Sequence, residues 1–378
     1  METQDFSFSS TDTDGSGSSR TIERPSVACV ASLKTLTPQI SCLAVHRDIL
    51  YAASLNEIHA FDLTSHTLID TFNCKDPTSG AVKSIAFGRE KIFTAHQDRK
   101  IRVWQATPSK RHCFLATLPT VKDRLSRCIL PKNYIQVRRH KKQLWVEHAD
   151  TVSGLVVNEG FLYSVSWDKS LKMWHASDLR CLESVKAHED AVNAIAISSA
   201  GSVYTASADG KIKVWERSAE RKHALKTTLE KHKSTVNALA LNDDGSVLFS
   251  GGSDSQIMVW EKENNGSDDC LAVTRSLLGH AGPVLCLIYV DGLLFSGSSD
   301  RTVRIWRCGS TECLAVLEGH KRPVKSLVPI SGGLRRDTVS VCSGSLDGEI
   351  RIWEIRESSV NNSSGSCLND REIENIIR

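Results

Sequence analysis

The sequence predicts an all-β fold: a seven-bladed β-propeller whose ring is closed by a strand from the N-terminal end. Three observations predict it. A motif recurs six times, in which a strand-like run reaches Ser or Thr, then Asp four residues later, then Trp six residues after that; its Asp residues are 98, 168, 209, 254, 300 and 347. A seventh, degenerate copy lies upstream, with Asn56 in the Asp position and Phe61 one residue short of the Trp position. The last copy has no outer strand of its own after Trp353, whereas an apolar segment, residues 26–36, precedes the first copy and belongs to no blade.

Taken in order, residues 1–25 read as a disordered tail. Nine of the first twenty are Ser or Thr, and this composition cannot bury enough apolar surface to offset the cost of ordering the chain. Residues 26–36 (SVACVASLKTL) supply the outer strand of the final blade, so the propeller spans 26–356. Alternation such as Lys211-Ile212-Lys213-Val214-Trp215 has the period of two that a strand requires. The short stretches after each Asp give tight turns. Successive Asp spacings are 70, 41, 45, 46 and 47, and Asn56 precedes Asp98 by 42. Five copies are preceded by a His four residues before a Val: His148, His188, His232, His280 and His320. The polar stretch 357–378 reads as a C-terminal tail whose last eight residues could form a short helix only on a partner.

This arrangement resembles the WD40-repeat family, with a period of about 40–45 residues and Gly-His and Trp-Asp signatures. His, Ser and Asp together invite a catalytic-triad reading. Repetition argues against it, since an active site needs one convergent constellation. The resemblance implies structural tetrads instead. These are His148/Ser164/Asp168/Trp174, His188/Thr205/Asp209/Trp215, His232/Ser250/Asp254/Trp260, His280/Ser296/Asp300/Trp306 and His320/Ser343/Asp347/Trp353. All five are read as fully matched sets. The copy ending at Trp104 has Thr94 and Asp98, but Thr78 stands where His is expected.

The 70-residue spacing marks an insert, read as 105–147, with ten Lys/Arg against two acidic residues, net +8 in a chain of net +3. Its densest basic run is Arg138-Arg139-His140-Lys141-Lys142. Together with Thr117-Leu118-Pro119-Thr120 and Pro131-Lys132-Asn133-Tyr134, this run is similar to the insert of plant JINGUBANG-like WD-repeat proteins. That resemblance implies a plant regulatory protein without enzymatic activity. The residues leave three readings open: a solvated loop extending two strands, a dock for an acidic protein, or a phosphate-binding patch for nucleic acid or membrane. Aromatic interleaving is thin, which disfavours direct nucleic-acid binding.

The residue before each turn Asp should point to the narrow face of the ring. Trp167, Gln97 and Leu346 are the binding candidates there, with Lys321 and Arg322 beside them. Arg138, Arg139, Lys141 and Lys142 are the candidates on the insert.

Composition excludes other classes. No run is long and apolar enough to span a membrane. The N-terminus has no basic start followed by an apolar run, so no secretory signal is expected. The twelve cysteines include no C-x-x-C pair, so neither a disulfide framework nor a zinc site is expected. No metal, cofactor, Gly-rich phosphate loop or catalytic pair is expected. These features give a monomeric, non-enzymatic scaffold or adaptor in the cytoplasm, the nucleus or both. Its expected partners are proteins, acidic ones and transcription factors among them, in plant signalling or transcriptional regulation. An alternative is a substrate receptor for a cullin-type ubiquitin ligase, whose Trp-Asp/Glu-x-Arg ending matches Trp353-Glu354-Ile355-Arg356.

Overall fold

A computed structural model describes residues 25–356 apart from 36, 74–76, 108, 219–221, 263–270 and 331–337. The disordered N-terminal tail and the polar C-terminal tail expected from the sequence lie outside these residues, except at residue 25. Among the described residues there are seven four-stranded antiparallel sheets and one separate two-stranded sheet. Blades 1 to 6 begin at Ile40, Val82, Val152, Val192, Val236 and Val284, and each runs in simple meander order. Blade 7 begins at Val324. Its outer strand is β1 (Ser26–Lys34), which pairs antiparallel with the third strand, Glu349–Arg356, from Ser26↔Arg356 to Lys34↔Glu349. The first strands of neighbouring blades touch all the way round, and that of blade 7 touches that of blade 1. The ring is therefore closed: the inner strand of each blade faces its neighbours round the channel, and the outer strand's edge faces outward.

The recurring Trp explains how flat sheets pack radially. Seven apolar clusters form, each drawing on two adjacent blades. Trp215 of blade 4 sits among Tyr163, Val165, Leu171 and Met173 of blade 3. Trp260, Trp306 and Trp353 likewise pack on the blade before them. Trp104 packs on blade 1 and Trp174 on blade 2. Phe61 takes this role between blades 7 and 1. It pairs with Leu50 as Trp174 pairs with Leu162, so it occupies the Trp position. The copy is one residue short because its turn holds only Leu55 and Asn56, where blade 3 uses residues 167–169.

The departure from the repeat is shorter than the sequence suggests. Residues 105 and 106 finish the third strand of blade 2, and His112–Leu118 form its outer strand. The addition begins at Pro119, not at residue 105. It consists of helix α1 (Val121–Cys128), a 3-10 turn at Pro131–Asn133, and a hairpin of Tyr134–Arg138 with Lys141–Leu144. It does not extend a blade's strands; the hairpin is the separate two-stranded sheet. Thr120 caps α1 by accepting from the Asp123 N–H at 3.1 Å. The buried Asp123 carboxylate accepts from the Cys181 N–H of blade 3 at 3.2 Å and pairs with Arg127. Arg127 donates to the Cys181 carbonyl at 3.0 Å and stacks over Trp145. Lys172, buried in blade 3, donates to the Trp145 carbonyl at 2.5 Å. These contacts fasten the insert to the rim of blade 3.

Candidate functional site

The His, Ser/Thr, Asp and Trp groups of blades 3 to 7 form directed chains. Trp Nε1–H donates to the Ser or Thr hydroxyl at 2.8–2.9 Å. That hydroxyl lies 2.7–2.9 Å from His Nε2. His Nδ1 lies 2.7–3.3 Å from the Asp carboxylate. A carboxylate only accepts, so Nδ1 carries the proton, Nε2 accepts, and the hydroxyl donates to it. Every hydroxyl in the chain is fully buried: Ser164, Thr205, Ser250, Ser296 and Ser343 are each 0% exposed. A nucleophile must reach its substrate, and these cannot. Each Asp also accepts the N–H of the residue after its His and the N–H two residues beyond itself. Asp168, for example, holds Ala149 at 2.8 Å and Ser170 at 3.0 Å. One carboxylate thus pins two loops on the same face.

All five sets hold the same four-residue contacts, and they differ in what braces the Asp. In blades 3, 4, 6 and 7 a serine two residues before the Asp accepts its backbone N–H: Ser166, Ser207, Ser298 and Ser345, at 3.1–3.2 Å. Blade 5 has Gly252 in that place, so this brace on Asp254 has no hydroxyl to make it. A Cβ on Gly252 would come within 3 Å of both the Asp254 carboxylate and His232 Nδ1. Asp254 instead shares the His232 Nδ1–H between its two oxygens, at 3.0 and 3.3 Å. It keeps the two loop contacts, from the Lys233 N–H at 3.2 Å and the Gln256 N–H at 3.3 Å.

Blade 2, which lacks the loop histidine, rebuilds the chain from its own strands. Trp104 donates to the Thr94 hydroxyl at 2.9 Å, and His96 Nε2 lies 2.7 Å from that hydroxyl. Asp98 takes a two-pronged contact from the buried Arg102, at 2.8 and 3.2 Å. The sequence pattern searches for His only before the first strand, so it misses His96. The Gly-His dipeptides have a local cause. Gly279 and Gly319 hold φ of 156° and 135°, a region that L side chains rarely adopt.

Burial holds His148, His188, His280 and His320 below the ordinary imidazole range, against the pull of their Asp partners. The Asp partners 168, 209, 300 and 347 titrate below the usual carboxylate range. Burial opposes that shift, and the His contacts and donated N–H groups outweigh it. A histidine that binds its proton more weakly when folded gives the unfolded chain the greater proton uptake below about pH 6.5. Stability present above that pH is therefore lost as pH falls through it. The melting temperature should be flat between about pH 7 and 8 and decline on acidification from about pH 6.5, well above carboxylate titration. A curve flat down to about pH 4.5 would contradict this.

His320, Asp347 and Glu349 place one ligand atom each within 4.8 Å of one another. All three are already engaged in holding the blade. His320 contacts Ser343 and Asp347, Asp347 accepts two backbone N–H groups, and Glu349 accepts from Ser32 and Arg351. This group reads as one tetrad with a neighbour.

The ring's own geometry builds a concave site. In every blade the pairing of the first two strands slips by one residue, as between Val152 and Gly154. The bulged residues are Ser41, Lys83, Ser153, Asn193, Asn237, Leu285 and Lys325, one from each blade. A bulge re-aims a side chain, and all seven line one cavity of 330 Å³ at the mouth of the central channel. Four of them tether the next blade by donating to the carbonyl of its opening residue: Ser41 to Val82, Ser153 to Val192, Asn193 to Val236 and Asn237 to Val284. The other three positions hold Lys83, Lys325 and Leu285.

Trp167 and Leu346 line this mouth, together with Leu55, the residue before Asn56 in blade 1. Trp167 is 40% exposed and stands beside Lys83, whose ammonium lies 5.7 Å from the indole centroid. It faces the channel mouth. Burial and the nearby Lys325 hold the Lys83 ammonium below the ordinary lysine range. Gln97 is exposed at the corresponding turn of blade 2, and its Oε1 accepts from the Ala81 N–H at 3.4 Å. Lys321 and Arg322 are exposed in the loop before blade 7 but do not line the cavity; its cations are Lys83 and Lys325. Sequence reasoning missed these two, although the residue following each blade's opening Val or Ile identifies them. Arg139, Lys141 and Lys142 are exposed on the insert hairpin, where the backbone of Arg138 pairs with Lys141. The insert candidates and the mouth are therefore two sites and not one.

The profile described as "WD domain, G-beta repeat" matches residues 141–175, 179–216, 224–261, 271–307 and 311–354. The chain is similar to the CCR4-associated factor 4 homolog of Candida glabrata, 30% identical over 46% of this chain and 33% of that protein. It is 27% identical to the DENN domain and WD repeat-containing protein SCD1 of Arabidopsis thaliana, over 56% of this chain and 17% of that protein. It is 23% identical to the F-box/WD-40 repeat-containing protein At5g21040 of the same plant, over 75% of this chain and 50% of that protein. The chain thus spans half or less of these relatives' length, and none of the three is named as an enzyme. No helix among the described residues is long and apolar enough to cross a membrane.

Proposed function

The chain belongs to the WD-repeat family, and on that premise we propose that it is a non-catalytic scaffold whose channel mouth docks an anionic segment of a partner protein. The observation that carries this reading is the pairing of Lys83 and Lys325 in one concave site with Trp167, Leu346 and Leu55. Two partly desolvated cations repel one another, and a carboxylate or phosphate between them relieves that repulsion. An exposed Trp beside them is a typical anchor. The protein acts as a monomer in plant signalling or transcriptional regulation, in the cytoplasm, the nucleus or both. The insert's likeness to JINGUBANG-like proteins supports that assignment.

The test is affinity capture from plant cells with the wild type beside Trp167→Ala and Lys83→Glu/Lys325→Glu. Trp167→Ala should weaken partner binding about 30-fold, the loss of ~2 kcal/mol expected for a hot-spot aromatic. Its melting temperature should stay near that of the wild type. A partner set that survives both variants overturns this reading.

A second reading, a substrate receptor of a cullin-type ubiquitin ligase, is favoured by Trp353-Glu354-Ile355-Arg356 and by the likeness to an F-box/WD-40 protein. In that motif Trp353 and Ile355 are buried, and Arg356 pairs with Glu354 at 3.2 Å, so only the Glu-Arg pair is presented. Co-purification of the ligase adaptor, lost in Arg356→Ala, would establish it.

A further inference from the structure

Helix α1 is turned inside out relative to an ordinary surface helix. Its acidic residue, Asp123, is buried, whereas Val121, Leu125 and the following Ile129 are 72%, 62% and 81% exposed. Spacings of four residues put these three on one stripe. Leu130 and Ile135 add apolar surface beside it. An uncovered apolar stripe on a rigidly anchored helix is a binding surface lacking its partner. The insert's charge says what the partner carries. Residues 119–147 hold eight Lys/Arg against Asp123 and Glu147, and both acids are already paired, with Arg127 and Arg124.

Arg124, on the same helix, lines a second cleft, of 350 Å³, between the turn of blade 2 and the hairpin. Arg99, Lys100, Lys141 and Lys142 line it too, with Asp98 and Glu147, which are paired with Arg102 and Arg124. These cations sit in a concavity, which a protruding side chain can enter and a flat bilayer cannot. Of the insert's Tyr134 and Trp145 only Tyr134 is exposed, and its hydroxyl is engaged. Trp145 lies under Arg127, and the Tyr134 hydroxyl donates to the Cys128 carbonyl at 3.1 Å.

We propose that the insert is a second docking surface, which receives an acidic amphipathic helix of a partner protein. The helix lays its apolar face along Val121, Leu125 and Ile129 and directs carboxylates toward Arg99, Lys100, Lys141 and Lys142. This surface does not depend on the channel mouth.

The probe is a fluorescein-labelled synthetic peptide of Leu and Glu patterned as an amphipathic helix, titrated into the full chain by anisotropy. A peptide of identical composition with the pattern permuted serves as control. Saturable binding is expected for the patterned peptide only, weakening with added salt. Val121→Ser/Leu125→Ser/Ile129→Ser should reduce the affinity at least tenfold, and Lys141→Glu/Lys142→Glu at least fivefold. Trp167→Ala should bind as the wild type does, which separates this surface from the channel mouth. Absence of binding, equal binding of the permuted peptide, or loss with Trp167→Ala overturns the proposal. Phosphatidylserine vesicles are the remaining arm: if they bind in place of the peptide, and the triple Ser variant abolishes it, the surface is a membrane site and the proposal fails.

Discussion

Removing residues 26–36 should abolish cooperative folding of the remaining chain. Strand β1 contributes a ladder of eight residue pairs to blade 7. At about 1 kcal/mol per ladder hydrogen bond, and with Val27 packed against the Val341–Trp353–Ile355 cluster, the loss is on the order of 5 kcal/mol. That is comparable to the whole net stability of a typical folded domain. The deletion also bares the edge of Glu349–Arg356, an invitation to pair with another chain. Denaturant unfolding followed by tryptophan fluorescence, with light scattering alongside, reads both effects. A truncated chain that unfolds cooperatively at nearly the wild-type midpoint would show that blade 7 does not need its borrowed strand.

Replacing Asp300 by Ala should cost about 3 kcal/mol, the upper end of the range for orphaned buried groups. The carboxylate accepts from His280 Nδ1 at 2.7 Å, the Ala281 N–H at 3.1 Å and the Thr302 N–H at 2.9 Å. Its loss leaves the imidazole without its acceptor and frees two loops at once. Asp98→Ala should also destabilise blade 2, through the stranded Arg102 guanidinium and not through a histidine. Midpoints of urea unfolding at about pH 7.5, above the histidine range, measure both changes. A shift under about 0.5 kcal/mol for Asp300→Ala would mean that the tetrad contributes little.

The fold was readable because each blade must solve the same packing problem with the same residues. The Trp–Ser/Thr–His–Asp chain needs fixed spacings, and those spacings recur. Even the degenerate copy kept its period, since Phe61 fills the wedge position that Trp fills elsewhere. The pattern's letters carried their contacts with them, but a neighbour outside the pattern varied. Asp254 satisfies the pattern as its counterparts do, yet Gly252 deprives it of the serine brace that they share. The candidate sites were readable only in part. Trp167 and Leu346 follow from their place before the turn. Lys83 and Lys325 occupy a bulge position where residue identity varies from Ser to Asn to Leu, so no repeated letter draws attention to them. The insert's helix went unread. Val121, Leu125 and Ile129 have the spacing of a buried stripe, yet the Asp123–Arg127 pair and the Cys181 backbone claim the inward face. His96 was invisible because it enters its hydrogen-bond chain from a strand, not from the loop where the pattern expects it.

The partners Cys29 and Trp353 lie at nearly opposite ends of the described chain. On a ribosome adding about 5–20 residues per second, β1 therefore emerges tens of seconds before its neighbour exists. Six blades can condense in turn behind it, each on the one before. Blade 7 alone must wait for strands from opposite ends of the described residues. Strand β1, the earliest made of the described strands, is thus the last to find its place, and throughout that interval an unpaired strand and an unfinished ring are exposed together. Emergence of Glu349–Arg356, more than the formation of any earlier blade, is the event that lets the ring close.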